Sequence, residues 1–202
     1  MIHVLFRDFV TLFVVVNPVG LVPLFIAVAG HESTARRRHL AVQASIISAI
    51  ILLVFIAFGQ LVLTALGIEL ASFQLAGGLV LLIIALRMVL AETRPGADAG
   101  PITDGNAAVF PLAMPFIAGP ATLMAVVLLT DNNVYTVWQQ IDTGVMLMVV
   151  LVITYGCMIG ADLLQRLLGM TGTNVVSRIM GLILAALAVQ SMVGGLRSLH
   201  VV

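Results

Sequence analysis

The sequence predicts an all-α polytopic membrane protein with six transmembrane helices, and three observations support that prediction. The composition is too apolar for a soluble fold, the apolar residues fall into six segments of membrane-spanning length, and the two halves of the chain match. Of the 202 residues, 61% are apolar and 9% are charged, whereas an ordinary globular chain carries about 25% charged residues. So few charges could not cover a water-facing surface, but a lipid-facing surface is apolar.

The six apolar segments are each close to the ~20 residues that a helix needs to cross the hydrocarbon core. Helices are required, because lipid offers no partners to unpaired backbone groups and the sequence shows no barrel-like alternation. No soluble domain is expected, so residues 1–202 form a single membrane domain. The predicted spans are Val4–Ala29, Leu40–Leu63, Leu70–Leu90, Ala107–Thr130, Thr143–Leu164 and Val176–Leu199.

The arginines predict the orientation, because the chain contains no lysine. The run Arg36–Arg38 lies in the first loop and other arginines lie in or beside the third and fifth loops, whereas only Arg7 and Arg197 lie on the other side. The positive-inside rule then puts those three loops in the cytoplasm and both termini outside. We interpret Arg36–Arg38 as a topology anchor, with an anionic-ligand site as the alternative. Asp162, near the cytoplasmic end of the fifth span, is interpreted as a solvated interfacial acid, with a proton carrier as the alternative.

An internal repeat divides the chain. Residues 93–106 are rich in Gly, Pro and Asp and predict a cytoplasmic linker between a first repeat, 1–92, and a second, 107–202. Residues 78–81 match 181–184 at an offset of 103, and Leu66-Gly67 matches Leu168-Gly169 at an offset of 102. Three spans in each half make the second half enter the membrane from the opposite side. The prediction is therefore two inverted three-helix repeats, as in many secondary transporters.

The first and fourth spans carry proline and glycine near their middles and are predicted to be broken helices. Proline lacks the amide that would bond the carbonyl four residues back, so Pro18 frees the carbonyl of Val14 and Pro120 that of Phe116. Free carbonyls are tolerated at this depth only where they face protein or a watery cavity. Half-helix N-termini attract a carboxylate and freed carbonyls attract an ammonium group or a cation. Two such breaks around one cavity suit a small zwitterion such as an amino acid.

Polar residues near mid-span allow two interpretations. Asn17, beside the first break, needs a partner or a ligand and favours a binding site over two simple packing kinks. For four others, interhelical hydrogen bonding is the prediction and a polar transport path is the alternative. These four residues are Gln43, Ser45, Ser48 and Thr154.

Other function classes lack the residues that they need. Net charge is zero, which gives no electrostatic footprint for nucleic acid. Cys157 is the only cysteine, and no histidine lies at mid-depth, so haem ligation and histidine-based catalysis have no candidates. We therefore expect no enzyme activity and no cofactor. A channel or a non-catalytic assembly subunit is the alternative to a carrier, because broken helices also build pores.

The motifs around the two breaks resemble those of the MarC family of bacterial and archaeal inner-membrane proteins. The resemblance rests on residues 17–25 and 111–120 and extends over essentially the whole chain, including Ala76-Gly77-Gly78. It implies a six-span inverted-repeat fold in the inner membrane and transport of small neutral amino acids such as alanine and glycine. The coupling ion, a proton or sodium, is not distinguished. The resemblance puts the substrate-binding site on Asn17, Pro18, Gly20, Pro115, Gly119, Pro120 and Thr122.

Overall fold

The computed structural model describes residues 2–29, 32–90 and 108–199, and within these ranges every regular element is helical. The predicted linker 93–106 lies outside the described residues. The helices are α1 (Ile2–Val16), α2 (Pro18–Ala29), α3 (Thr34–Ala65), α4 (Leu70–Leu90), the π-helix π1 (Ala108–Ile117), α5 (Pro120–Leu129), α6 (Val137–Ile159) and α7 (Ala161–Ser198).

Among the described residues, five helical segments are long and apolar enough to cross a membrane, one fewer than the six predicted spans. The predicted fourth span is instead divided into π1 and α5, with 10 residues each. Prolines explain the division, since Pro111, Pro115 and Pro120 cannot donate amides to a continuous α-helical ladder. At the end of π1 the amide of Ala118 bonds the carbonyl of Ala113, five residues back, at 2.8 Å. The five candidate spans are Val4–Val22, Thr34–Ala65, Leu70–Leu90, Val137–Ile159 and Asn174–Ser198.

Two glycines that match in sequence adopt the same backbone conformation. Gly67 follows α3 and Gly169 interrupts α7, and both have φ of 66°, a conformation that costs glycine no steric energy. At the first, the amide of Ile68 bonds the carbonyl of Leu63 at 2.9 Å, which is the helix-ending pattern of a Schellman motif. Each glycine therefore separates two helices, at positions that match in sequence.

The last spans of the two halves, α4 and the part of α7 after Gly169, pack closely and antiparallel. A methyl group on Gly78 would lie 3.0 Å from the carbonyl oxygen of Ala188, and one on Gly181 would lie 3.1 Å from that of Ala85. Each contact is the counterpart of the other, because the sequence offset of 103 relates Gly78 to Gly181 and Ala85 to Ala188. The α4–α7 crossing thus brings together positions that match in sequence.

The main apolar core lies between the broken helices and the long helix α3. It joins residues of α1 and α2 with π1 and α6, and α3 contributes a buried stripe spaced by about one helical turn. That stripe contains Ala41, Ala44, Ser48 and Leu52. Outward-facing positions of the long helices are largely exposed apolar residues, as a lipid-facing surface requires.

Candidate functional site

The first break is centred on Asn17, which separates α1 from α2. Its φ of 52° is left-handed, unusual for a residue other than glycine. Its amide still bonds the carbonyl of Phe13 at 2.9 Å, and its carbonyl accepts from the amide of Leu21 at 3.1 Å. Its side-chain Oδ1 accepts from the amide of Gly20 at 3.1 Å, so Asn17 caps α2, with Pro18 as the first helical residue. The break is therefore a change of helix built by one residue, not an open loop.

The Asn17 side chain fills the space over Gly20, which explains the spacing of these residues. A methyl group on Gly20 would lie 2.1 Å from Asn17 Nδ2, so any larger residue there would displace the amide. Nδ2 itself points to Met88 Sδ of α4, 3.7 Å away. A thioether is a weak acceptor, and Asn17 is only 8% exposed. Among the described residues, the acceptor of this buried amide donor is thus the weak thioether of Met88.

The second break lies at Gly119, directly before Pro120, the first residue of α5. Gly119 is extended, with φ −79° and ψ 171°, and its carbonyl accepts from the amide of Leu123 at 2.9 Å. Glycine offers no side chain to cap α5, unlike Asn17 at the matching position of the first break. Thr122 lies in the first turn of α5 and is buried. The backbone of Pro115 lies in π1, and its side chain is outside the described part of the chain.

Both breaks rest on the α4–α7 crossing. Val15, just before the first break, and Ala121, just after the second, belong to one apolar cluster with Ala85 and Ala188 of the crossing. Six of the seven predicted site residues therefore lie in two turns, 17–20 and 119–122, on a common base, and Pro115 lies outside both turns. Asn17, Pro18, Gly119 and Thr122 are buried, whereas Gly20 and Pro120 are partly exposed.

A buried carboxylate that sequence reasoning missed joins α1 to α6. Asp8 is 1% exposed, and its Oδ1 accepts from Arg7 Nη2 at 2.8 Å and Nε at 3.1 Å. Its Oδ2 accepts from Thr143 Oγ1 at 2.8 Å, and the Arg7 guanidinium lies 5.3 Å from the ring centre of Tyr135. The signal in the sequence was an acid inside the first apolar segment, where a charge needs a partner.

The opposite end of the molecule carries a second ion pair. Arg37 at the start of α3 binds Asp162 at the start of α7 through two contacts of 2.6 and 2.9 Å, and its guanidinium lies 5.8 Å from the ring centre of Phe25 in α2. Asp162 is largely exposed, as interpreted, but it is paired. The predicted first and fifth loops accordingly meet at one end.

Near Asp8, the end of α3 meets the loop that follows α5. Gln60 Nε2 donates to Asp131 Oδ1 at 2.7 Å, and Gln60 Oε1 accepts from the amide of Asn132 at 3.1 Å. A pocket of about 400 Å³ opens beside this contact. It lies at the end of the helices and not at the two breaks, where the sequence predicted a cavity. Its lining residues are Gln60, Leu63, Thr64, Gly67, Ile68, Glu69, Leu70 and Asn133.

The predicted interhelical hydrogen bonds of three mid-span hydroxyls are wrong. Thr154 Oγ1 donates to the carbonyl of Val150 in its own helix at 2.7 Å. The hydroxyls of Ser45 and Ser48 are buried and make no hydrogen bond with the described part of the protein. Hydrogen bonding to the described residues therefore does not explain why the Ser45 and Ser48 hydroxyls are buried.

Comparison with known proteins identifies the family. The model of the MarC family of integral membrane proteins matches residues 2–200. A UPF0056 membrane protein of Buchnera aphidicola subsp. Schizaphis graminum is 31% identical over 195 residues, 96% of this chain and 92% of the relative. In Escherichia coli (strain K12), the UPF0056 membrane protein YhcE is 31% identical over 201 residues, 97% of this chain and 93% of the relative. The UPF0056 inner membrane protein YhgN of the same strain is 30% identical over 192 residues, 93% of each chain. No solved structure matches. With five helices in its described part that are long and apolar enough to cross a membrane, and a family match over nearly its full length, this chain is an integral membrane protein that belongs to the MarC family.

Proposed function

We propose that this protein is a secondary transporter of small zwitterionic solutes of the alanine and glycine type. In this proposal it works by alternating access around the two helix breaks, in the inner membrane, without enzyme activity. The observation that carries the proposal is the pair of matched breaks at Asn17-Pro18 and Gly119-Pro120, which rest on one crossing of α4 and α7. Broken helices that meet near the membrane midplane are typical of substrate sites in such transporters.

The six-span inverted repeat is the architecture that this proposal requires. The matched φ values of Gly67 and Gly169 support it, as do the exchanged contacts of Gly78 and Gly181. An antiparallel helix pair with reciprocal contacts is what a two-fold axis perpendicular to the helices produces. With α4 and α7 spanning the bilayer, that axis would lie in the membrane plane, as in an inverted repeat. π1 and α5 would together form the additional span.

The breaks supply both poles that a zwitterion needs. The N-termini of α2 and α5 carry partial positive charge for the carboxylate, and the C-terminal ends of α1 and π1 carry partial negative charge for the ammonium group. Asn17 Nδ2 would exchange the weak Met88 acceptor for a substrate carboxylate oxygen, a much stronger one. Gly20 keeps room for that amide, whereas Pro18 and Pro120 keep the two helices from re-forming.

Two polar contacts at opposite ends would serve as the gates. At one end Asp8 joins α1 to α6 through Thr143, and at the other Arg37 joins α3 to α7 through Asp162. The buried breaks correspond to a closed conformation, and opening toward either side would require one of these contacts to separate. A carrier needs such alternation, whereas a channel does not.

The test is exchange of labelled alanine or glycine in proteoliposomes. Asn17→Asp retains the capping oxygen and tolerates the positive φ but replaces the donor amide by a negative charge, so exchange should fall at least tenfold. Pro18→Ala should also reduce exchange while leaving thermal stability in detergent unchanged or raised, because the helix can re-form. Gly156→Ala is the matched control, since a methyl group there meets no atom within 4 Å.

Two results would overturn the proposal. Unchanged exchange in both Asn17→Asp and Pro18→Ala would remove the breaks from the transport site. Flux that does not saturate and shows no counterflow would favour the channel alternative over a carrier.

A further inference from the structure

Two buried hydroxyls on α3 have no hydrogen-bond partner among the described residues. The Ser48 side chain is 0% exposed, and the hydroxyl oxygens of Ser45 and Ser48 are both inaccessible to solvent and without a hydrogen bond. The two residues are three apart on a helix and therefore lie on one face. A buried polar group without a partner is rare and points to something that binds there.

Five other hydroxyls in these helices show the usual behaviour of serine and threonine in a helix. Each of the five donates to the backbone carbonyl four residues earlier in its own helix, at distances between 2.7 and 3.1 Å. Ser45 and Ser48 could use the carbonyls of Ala41 and Ala44 in the same way, but do not. The residues with this local bond are Thr64, Thr130, Thr143, Thr154 and Ser198.

The packing of α3 places Ser48 near the level of the second break. A methyl group on Gly59 would lie 2.7 Å from a methyl carbon of Val127, which fixes the register of α3 against α5. Ser48 lies eleven residues before Gly59, or about 16 Å along the helix. The same distance measured back along α5 from Val127 reaches the C-terminal end of π1, before Gly119. The buried stripe of α3 that contains Ser48 also packs in one core with π1.

Helix chemistry predicts free carbonyl groups at that level. Pro120 has no amide for the carbonyl of Phe116, and the end of a helix leaves further carbonyls unbonded within the helix. Serine oxygens and backbone carbonyls are neutral oxygen ligands, and a helix C-terminus adds partial negative charge.

We propose that Ser45, Ser48 and the carbonyl groups at the end of π1 form a binding site for a singly charged cationic group. The charge is one and not two, because a divalent ion would need carboxylate ligands to offset its dehydration. Na⁺ and the ammonium group of the substrate share this chemistry, so both are sources of the bound charge. The proposal rests on the proposed transport function only for the role of the site. That role would be to bind the coupling ion or the ammonium group of the substrate.

The experiment measures the melting temperature of the purified full-length protein in detergent. The added solutes are NaCl, choline chloride, and alanine in choline chloride without Na⁺. The variants are Ser48→Ala, the double variant Ser45→Ala with Ser48→Ala, and Thr154→Val as the matched control. Thr154 is equally buried, but its hydroxyl has a local partner. Without added ligand, the serine variants should be as stable as the wild type or more so, because an alanine removes an unpartnered polar group.

A ligand at about a hundred times its Kd should raise the melting temperature of the wild type and of Thr154→Val by about 5–10 °C. A rise with NaCl that is lost in the double serine variant identifies Na⁺, and a rise with alanine alone that is lost there identifies the substrate ammonium group. If neither solute raises the melting temperature, or if the rise persists in the double variant, the site does not exist. No step of this measurement requires transport. The cation site can therefore be refuted while alanine exchange in proteoliposomes is observed, and it can be supported while no exchange is observed.

Discussion

Arg7→Ala should destabilise the protein more than Asp8→Asn does, although Arg7 is the more exposed of the two residues. The Asp8 carboxylate is 2% exposed and the Arg7 side chain 47% exposed. Removing the guanidinium leaves a buried negative charge that still accepts from Thr143 Oγ1 at 2.8 Å. Replacing Asp8 by asparagine removes the charge itself. Thr143 then keeps its bond to the carbonyl of Gln139 at 3.1 Å, and Arg7 turns to solvent.

The size of each effect follows from which charge is left behind. Loss of one partner from a buried ion pair costs about 3–5 kcal/mol, and we reduce this to about 2–4 kcal/mol because water reaches the half-exposed guanidinium. For Asp8→Asn, loss of the hydrogen bonds to a charged group would cost about 1.5–3 kcal/mol. The cost should lie at the lower end, because the asparagine side chain retains part of that bonding. The double variant should be more stable than Arg7→Ala alone, which requires a favourable coupling of roughly 1–2 kcal/mol between the two substitutions.

Unfolding in detergent with increasing denaturant measures these differences. Arg197→Ala is the control, because it removes an exposed arginine and should change stability by less than about 0.5 kcal/mol. If Arg7→Ala behaves like Arg197→Ala, the Asp8 carboxylate is solvated and the contact between α1 and α6 is not the one described. If the double variant is less stable than both single variants, no uncompensated charge was created and the reasoning is also refuted.

Three further predictions concern the breaks, the crossing and the orientation. Gly20→Ala should displace the Asn17 amide, cost about 1 kcal/mol of helix capping and reduce alanine exchange at least tenfold. Its control is Gly144→Ala, which has open space around the added methyl group and should leave alanine exchange unchanged and stability unchanged or slightly raised. Gly78→Ala and Gly181→Ala should each cost about 1–3 kcal/mol in detergent unfolding, and a difference of more than about 1 kcal/mol between them would argue against equivalent surfaces. Cysteines introduced in residues 93–106 should react only with a reagent on the cytoplasmic side, and labelling from outside would reverse the proposed orientation.

The sequence located the helix breaks well because the chemistry of proline is local. Pro18 and Pro120 cannot donate an amide in any fold, so each had to begin a new helix or kink an old one. The backbone conformations around these prolines could not be predicted from the sequence. Nothing in the sequence required π-helical geometry in residues 108–117, or the left-handed conformation of Asn17, because both depend on how the neighbouring helices pack.

Polar contacts between distant segments were the least predictable part. The pairing of Arg37 with Asp162 joins residues 125 positions apart, and that of Asp8 with Thr143 joins residues 135 apart. Composition predicts that a charge inside an apolar segment needs a partner, but not which one. The absent local bonds of Ser45 and Ser48 were equally invisible, since a serine in a helix ordinarily bonds its own backbone.

The differences between the two breaks suggest that the two halves have different roles in the proposed mechanism. At the first break the cap of α2 is the Asn17 side chain, whose Oδ1 already accepts from Gly20. A carboxylate there would therefore meet the Nδ2 amide, which points to Met88, more readily than the capped backbone. At the second break Gly119 has no side chain, so the first-turn amides of α5 have no cap from that position. A substrate carboxylate held between Asn17 Nδ2 and α5 would use one half as a side-chain donor and the other as a helix N-terminus. The ammonium pole would then lie toward the end of π1, at the level where the Ser48 hydroxyl has no hydrogen bond to any described residue.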